Sequence, residues 1–263
     1  MRIAVAQGLA PGARALESAA AEAARAGARL LVAPELSWTG YVLGPRAAEL
    51  AEPADGPAGA CASRVAREYG LGVVYGWIER DGDAVHNAVR LVGPDGAPLA
   101  SYRKTHLYGE HERAAFRPGA EPVVQAELDG LTIGLLICYD VEFPETARAH
   151  ALAGTDLLAV PTALMRPYEA VPRLLVPARA YENGLHIAYA NRCGREGGDD
   201  FAGLSCLAGP DGEVRARAGA DPGVLVADAD PRRAAEARAA TPYLADRRPD
   251  LYRTLTLARS PRA

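Results

Sequence analysis

The chain is almost without lysine. Its 29 lysine and arginine side chains include one lysine, Lys104. An exposed ion pair tolerates arginine in place of lysine, because such pairs contribute little. A compact ammonium with three donors is not replaceable by a planar guanidinium where a point charge is needed, so Lys104 is the first place to look for chemistry. Other shortages exclude whole classes. The net charge is −4 and the arginines form no stripe, which gives no basis for nucleic acid or an anionic membrane as partner. No apolar run approaches the ~20 residues of a membrane span, and Met1 leads straight into a strand-like segment with no signal-peptide pattern. A cytoplasmic location is expected. The four cysteines lie far apart with no Cys-x-x-Cys, so neither a disulfide framework nor a zinc knuckle is indicated. The five histidines make no metal-spaced cluster, and there is no Gly-x-Ser-x-Gly. Gly-Leu-Gly at 70–72 precedes a strand and is no dinucleotide loop.

What is present is an ordinary globular composition, 49% hydrophobic and 24% charged over 263 residues. Residues 2–6, 29–33 and 71–76 read as strands. They alternate with alanine-rich helices over 14–26 and 57–69, ended by Gly27 and Gly70. Residues 85–92 and 98–102 flank a Gly-Pro-Asp-Gly turn at 93–96 and read as a hairpin. The second half repeats the theme. Strands at 131–137, 156–160 and 185–190 alternate with helices at 143–152 and 168–182, and a second Gly-Pro-Asp-Gly at 209–212 joins strands 203–208 and 213–217. The expectation is one α/β domain over 1–263 with internal pseudo-symmetry. Residues 192–202, rich in glycine and charge, read as a flexible loop that could line an entrance. The tail from about 240 to 263 keeps apolar residues suited to a subunit interface.

Three chemically able residues end three separate strands. Cys138 follows Leu135-Leu136-Ile137 and precedes Pro144, a good first residue of a helix. A strand-to-helix turn favours a thiolate and offers backbone N–H groups to an oxyanion. A cysteine ending an apolar run is, taken alone, better explained as a small buried packing residue. Glu35 follows Leu31-Val32-Ala33-Pro34, where desolvation would raise its pKa and suit it to general-base work. Lys104 follows the first hairpin. Active sites of layered α/β proteins assemble from such ends.

Together with their flanks, these residues resemble the carbon–nitrogen hydrolase (nitrilase) superfamily. Pro34-Glu35 with Thr39-Gly40-Tyr41 is similar to its base motif. Tyr102-Arg103-Lys104-Thr105-His106-Leu107, then Glu112 and Phe116-Arg117-Pro118-Gly119, is similar to its lysine motif. Leu135-Leu136-Ile137-Cys138-Tyr139-Asp140 with Phe143-Pro144-Glu145 is similar to its nucleophile motif. Val160-Pro161-Thr162-Ala163, Arg179-Ala180, Glu182-Asn183 and Ala190-Asn191 also fit. The resemblance implies an α-β-β-α sandwich with two mixed central sheets, a homodimer or higher homo-oligomer, and no metal or organic cofactor. It implies Glu35 as base, Cys138 as nucleophile, Lys104 with the Tyr139 N–H as oxyanion donors, and Glu112 holding Lys104. Glu110, two residues away, competes with Glu112 for that role. Tyr41 and Thr162 join the substrate-binding candidates.

Tyr139-Asp140 after the cysteine is similar to the amidase and carbamoylase branches more than to true nitrilases. Within them the resemblance is to amidases of linear carboxamides, among them the delta-aminovaleramidases and stereoselective amidases. A small linear amide, ω-amino amides included, is then the expected partner, and Glu110, Asp140 and Glu142 are the carboxylates that could meet a cation. The alternatives are an N-carbamoyl hydrolase with the same triad, a Schiff-base enzyme using Lys104, and a catalytically silent binding module.

Overall fold

The computed structural model of the chain describes residues 1–41 and 46–253. Its elements in order are β1 (Arg2–Gln7), α1 (Ala13–Arg25), β2 (Leu30–Val32), α2 (Ala47–Leu50), α3 (Pro57–Tyr69), β3 (Gly72–Asp81), β4 (Ala84–Val92), β5 (Pro98–Arg103) and α4 (Gly109–Ala115). There follow β6 (Gln125–Leu128), β7 (Leu131–Leu135), a 3-10 turn (Cys138–Glu142), α5 (Pro144–Leu152), β8 (Leu157–Thr162), a π turn (Val171–Leu175), α6 (Val176–Asn183) and β9 (His186–Asn191). The described residues end with β10 (Cys193–Glu196), β11 (Asp199–Ala202), β12 (Cys206–Ala208), β13 (Val214–Arg217), β14 (Gly223–Asp228), α7 (Pro231–Ala240) and a 3-10 turn (Pro249–Leu251).

Among the described residues, two six-stranded sheets have the same plan, ordered β14-β1-β2-β3-β4-β5 and β6-β7-β8-β9-β12-β13. In each, three parallel strands run into an antiparallel meander, and an antiparallel strand closes the other edge. The two Gly-Pro-Asp-Gly turns fall at equivalent places, between β4 and β5 and between β12 and β13. The expected pseudo-symmetry is therefore present in the topology. The strand after each meander crosses over to edge the opposite sheet, β6 beside β7 and β14 beside β1. That exchange ties the halves into one body.

Strand alternation sets the layers. Ala4, Ala6, Leu31 and Ala33 face α1 and α3, whose small buried residues (Ala19, Ala20, Ala23, Ala62, Ala66) allow close approach. Ile3, Val5, Leu30 and Val32 face the other way and share a core with Leu131, Ile133, Leu135 and Leu157 of the second sheet. Ala147 and Ala151 of α5, with Val176 and Ala180 of α6, cover the far side. Both faces of the parallel strands are thus buried, as their unbroken apolar runs require.

Three expectations are corrected. The strand begun at 71 runs on to Asp81 and forms its own hairpin with β4. The helix expected over 168–182 is a π turn followed by α6. Residues 192–202 are not a loose loop: β10 and β11 pair as an antiparallel ribbon, and Phe201 bridges to Met165. No helix among the described residues is long and apolar enough to cross a membrane. Part of the tail, 254–263, lies outside the described residues.

His150 of α5 is buried, and a side chain at Gly134 of β7 would collide with its ring. Burial pushes its pKa down from 6.5 to about 4, and burial lowers that of His186 as well. The unfolded chain therefore binds more protons between these values. The stability from a neutral His150 is complete above pH 6.5 and is lost as pH falls towards 4, by about 3 kcal/mol at full extent. His150→Gln should flatten the rise of the urea midpoint between about pH 4.5 and 7; an unchanged slope would exclude His150 as its source.

Candidate active site

Glu35 lies three residues past β2, behind Pro34, which has no N–H to extend the ladder. Its N–H reaches the Thr162 carbonyl at 3.4 Å, and the next residue, Leu36, turns with φ +46°. A side chain at Gly76 would collide with the Leu36 nitrogen, so glycine is required there for the turn to pass. The Glu35 carboxyl is fully buried. Asn87 of β4 donates to its Oε1 at 2.6 Å.

Lys104 follows β5 and is buried. Its N–H donates to the Asn87 carbonyl at 2.9 Å, and its own carbonyl accepts from Gly119 at 2.8 Å. A side chain at Gly119 would strike the Arg103 carbonyl, which explains the glycine after Phe116-Arg117-Pro118. The ammonium sits 2.8 Å from Glu35 Oε1 and 2.7 Å from Glu112 Oε1. Glu112 is itself fixed by the Tyr41 hydroxyl at 2.8 Å and the Tyr108 N–H at 2.7 Å. Glu110 is exposed on the first turn of α4, so it is Glu112 that meets the lysine.

Cys138 opens the 3-10 turn after β7 with φ +49°, a strained conformation for a residue with a side chain. Tyr139 follows at the start of the turn, where N–H groups have no acceptor within it. Asp140 is fully buried and cross-links this turn to the lysine loop. It accepts from Tyr102 Oη, Thr105 Oγ1 and the His106 N–H, each at 2.9 Å, and from the Ile137 N–H at 3.1 Å. His106 stacks on Phe143 with centroids 4.0 Å apart and braces the same loop. The expectation of Asp140 as a carboxylate for a substrate cation is therefore corrected: its oxygens are occupied in joining two segments.

Burial raises the Glu35 pKa, Glu112 adds to this, and Lys104 opposes it. Burial opposes protonation of Lys104, yet the charges of Glu35, Cys138 and Glu112 hold its pKa well above the ordinary value. Burial and Glu35 push the Cys138 thiol well up, against Lys104 and the Ala163 N–H, which favour the thiolate. The thiol thus lies beside a row in which the Lys104 nitrogen stands between the carboxyl groups of Glu35 and Glu112. Lys104 has three N–H donors and spends two on the carboxylates, leaving one. Glu35 Oε2 is buried with no hydrogen-bond partner.

A cavity of about 870 Å³ leads to Glu112, lined by Tyr41, Tyr108, His111, Phe116, Met165 and Tyr168, with Arg166 and Asp199 among its polar walls. Tyr139 sets its ring against Tyr108 and Phe143, at 5.3 and 4.9 Å. Glu142 is half-buried at the end of the 3-10 turn; burial raises its pKa, while Lys104 and Arg179 draw it down. Thr162, expected to touch substrate, spends its hydroxyl on the Val160 carbonyl at 3.0 Å and bears on the site through the Glu35 backbone. Sequence reading missed Asn87. Its one signal was a short amide between His86 and Ala88 in a strand that also carries Arg90, which does not set it apart from its polar neighbours.

A thiol at a strained strand-to-helix elbow, beside a buried carboxylate–ammonium row in an α-β-β-α sandwich, defines a class of cysteine hydrolase. The chain belongs to the carbon-nitrogen hydrolase family, whose pattern it matches over residues 2–239. It is 40% identical over 222 residues to an (R)-stereoselective amidase from Pseudomonas sp, covering 83% of this chain and 79% of that one. It is similar to the amidase from Nesterenkonia sp. AN1, solved as a glutamate-to-glutamine variant after Michael addition of acrylamide to the active-site cysteine (39% identity, TM-score 0.88, 97% of this chain and 99% of that one). A glutamate-to-glutamine variant of the same amidase has also been solved with the acetamide moiety of fluoroacetamide added to that cysteine (40% identity, TM-score 0.85, 97% and 96% covered).

Asp140→Asn keeps the shape but loses acceptor capacity against at least four donors. It should cost about 2–4 kcal/mol in urea unfolding, against about 1 kcal/mol for Tyr102→Phe, which removes one donor. Equal, small effects would show that Asp140 does not cross-link the two segments.

Proposed function

We propose that the protein is a thiol-dependent amidohydrolase that cleaves small linear carboxamides to the acid and ammonia, with Glu35, Lys104, Glu112 and Cys138 as its machinery. The observation that carries this is the buried Lys104 ammonium between Glu35 and Glu112, beside the Cys138 thiol.

The unpartnered Glu35 Oε2 is the oxygen suited to accept the thiol proton as Sγ attacks the amide carbon. The third N–H of Lys104 and the Tyr139 N–H stabilise the oxyanion. Glu35 then returns the proton to the departing amine, ammonia leaves, and a thioester with Cys138 remains. Glu35 next takes a proton from water as it adds to the thioester, and the collapse releases the carboxylic acid and restores the thiol. Glu112 keeps Lys104 a fixed point charge throughout, and Tyr41 keeps Glu112. A second catalytic glutamate at Glu110 has no such support.

The substrate we favour is an ω-amino carboxamide. Glu142 supports this, being half-buried with its carboxyl near enough to Lys104 to feel its charge, and so does Asp199 in the cavity wall. A homodimer is the assembly we favour, supported by exposed Leu174, Tyr181 and Tyr243, of which the two tyrosines meet edge-on.

Ammonia release should be measured from delta-aminovaleramide, uncharged amides, carbamoyl amines and nitriles. Amides should be cleaved and Cys138→Ala should abolish it; release from carbamoyl compounds alone would make the protein a carbamoyl hydrolase instead. Because Glu35 must be ionised and its pKa is raised, kcat/KM should climb with pH along a limb lying above the ordinary carboxylate value of 4.5. Glu142→Gln should raise KM for delta-aminovaleramide about tenfold and leave that of an uncharged amide of equal length nearly unchanged. Equal effects on both would remove Glu142 from cation recognition.

A further inference from the structure

We infer that the Arg192–Glu196 ion pair is a positioning device that holds both carboxylates flanking Lys104, making the β10–β11 ribbon part of the catalytic apparatus. This rests on the amidase reading.

Arg192 is 4% exposed just past the end of β9. One guanidinium nitrogen donates to the Glu35 carbonyl at 3.3 Å and the other to Glu196 Oε2 at 2.6 Å. The Arg192 N–H and the Glu35 N–H both reach the Thr162 carbonyl, at 3.2 and 3.4 Å. Glu35 is thus gripped at both ends of its backbone. The second grip matters because the Glu35 carbonyl belongs to the peptide that enters Leu36 at φ +46°, a conformation that persists only where neighbours over-determine it.

Glu196 works on the other carboxylate. Its Oε1 accepts from the Tyr41 N–H at 2.7 Å, and the Tyr41 hydroxyl donates to Glu112 Oε1 at 2.8 Å. A side chain at Gly40 would crowd Glu196 Oε1, so the Tyr41 loop is shaped to receive it. Phe201 of β11 lies against Tyr41 and Arg192, edge-on to the tyrosine ring at 5.8 Å and under the guanidinium at 5.8 Å. One ion pair therefore reaches Glu35 directly and Glu112 through Tyr41, and Lys104 stands between those two carboxylates. Neither Arg192 nor Glu196 touches the ammonium or the thiol. Their effect passes through backbone placement, to which bond-making geometry is sensitive.

The test compares Arg192→Met, Arg192→Lys and Glu196→Gln with wild type. It uses delta-aminovaleramide or the best linear amide of the panel, together with the pH dependence of Cys138 alkylation by fluoroacetamide followed by intact mass. Glu196→Gln is the mild variant that guards against misfolding, and near-UV circular dichroism reports the folded fraction. Expected is a fall in kcat of about tenfold to a hundredfold per folded molecule with KM within about threefold, partly rescued in Arg192→Lys relative to Arg192→Met. The titratable and charged groups facing Glu35 are Lys104, Glu112, Cys138, Tyr41 and Arg192; Lys104 holds the carboxyl itself and favours its ionised form, while Arg192 meets the backbone carbonyl, and Arg192→Lys keeps that charge. Loosening Glu35 from Lys104 should therefore move the acid limb of kcat and of alkylation to higher pH. Folded variants with wild-type kcat and an unmoved limb would overturn the inference. A wild type that neither hydrolyses any amide nor alkylates at Cys138 would instead overturn the amidase reading.

Discussion

A single ammonium, buried between two carboxylates, is the constraint to which the surrounding structure answers. Three ionised groups removed from water cost several kcal/mol each, and their attraction offsets this only with close geometry and full hydrogen bonding. The neighbours supply both. Asn87 serves Glu35, Tyr41 and the Tyr108 N–H serve Glu112, and the Lys104 backbone is pinned between Asn87 and Gly119. The row has one lysine donor and one glutamate oxygen to spare, and both suit a reacting amide better than they suit the resting protein. A site built this way has little reorganisation left to do when charge develops.

The scaffold beneath it is symmetric and the chemistry is not. Each half contributes three parallel strands and a meander, and each lends an edge strand to the other sheet. Yet Glu35 follows the second parallel strand of the first half, and Cys138 follows the first parallel strand of the second. Gly8 holds the place after β1 that corresponds to the nucleophile's, and it packs against Cys193 with no room for a side chain. The halves meet so that ends which are not equivalent converge, and Asp140 fastens the nucleophile turn to the loop after β5 across that join.

Much of this was legible in the residue string, for a physical reason. Buried strands announce themselves by apolar runs, and a charged or thiol residue ending such a run stands out, as Glu35 and Cys138 do. The lysine stood out because arginine had taken every other cationic place. What could not be read were contacts between segments far apart in the chain. Asn87 to Glu35 spans 52 residues and Arg192 to Glu35 spans 157. Asp140 was misjudged for the same reason, since three of its donors sit 34 to 38 residues upstream. The glycine- and charge-rich stretch at 192–202 lacked any local mark of order, because its ribbon is held by Phe201, Arg192 and Glu196 acting on other parts of the fold.

The need for a point ammonium is measured by the kcat of Lys104→Arg with a linear amide that the wild type hydrolyses, taken beside its near-UV circular dichroism. Arginine keeps the charge but not the compact, rotatable donor set. The variant should fold, with a kcat lowered by about a hundredfold to a thousandfold. A folded Lys104→Arg variant turning over near the wild-type rate would contradict the claim that a point ammonium between Glu35 and Glu112 is what the structure exists to hold.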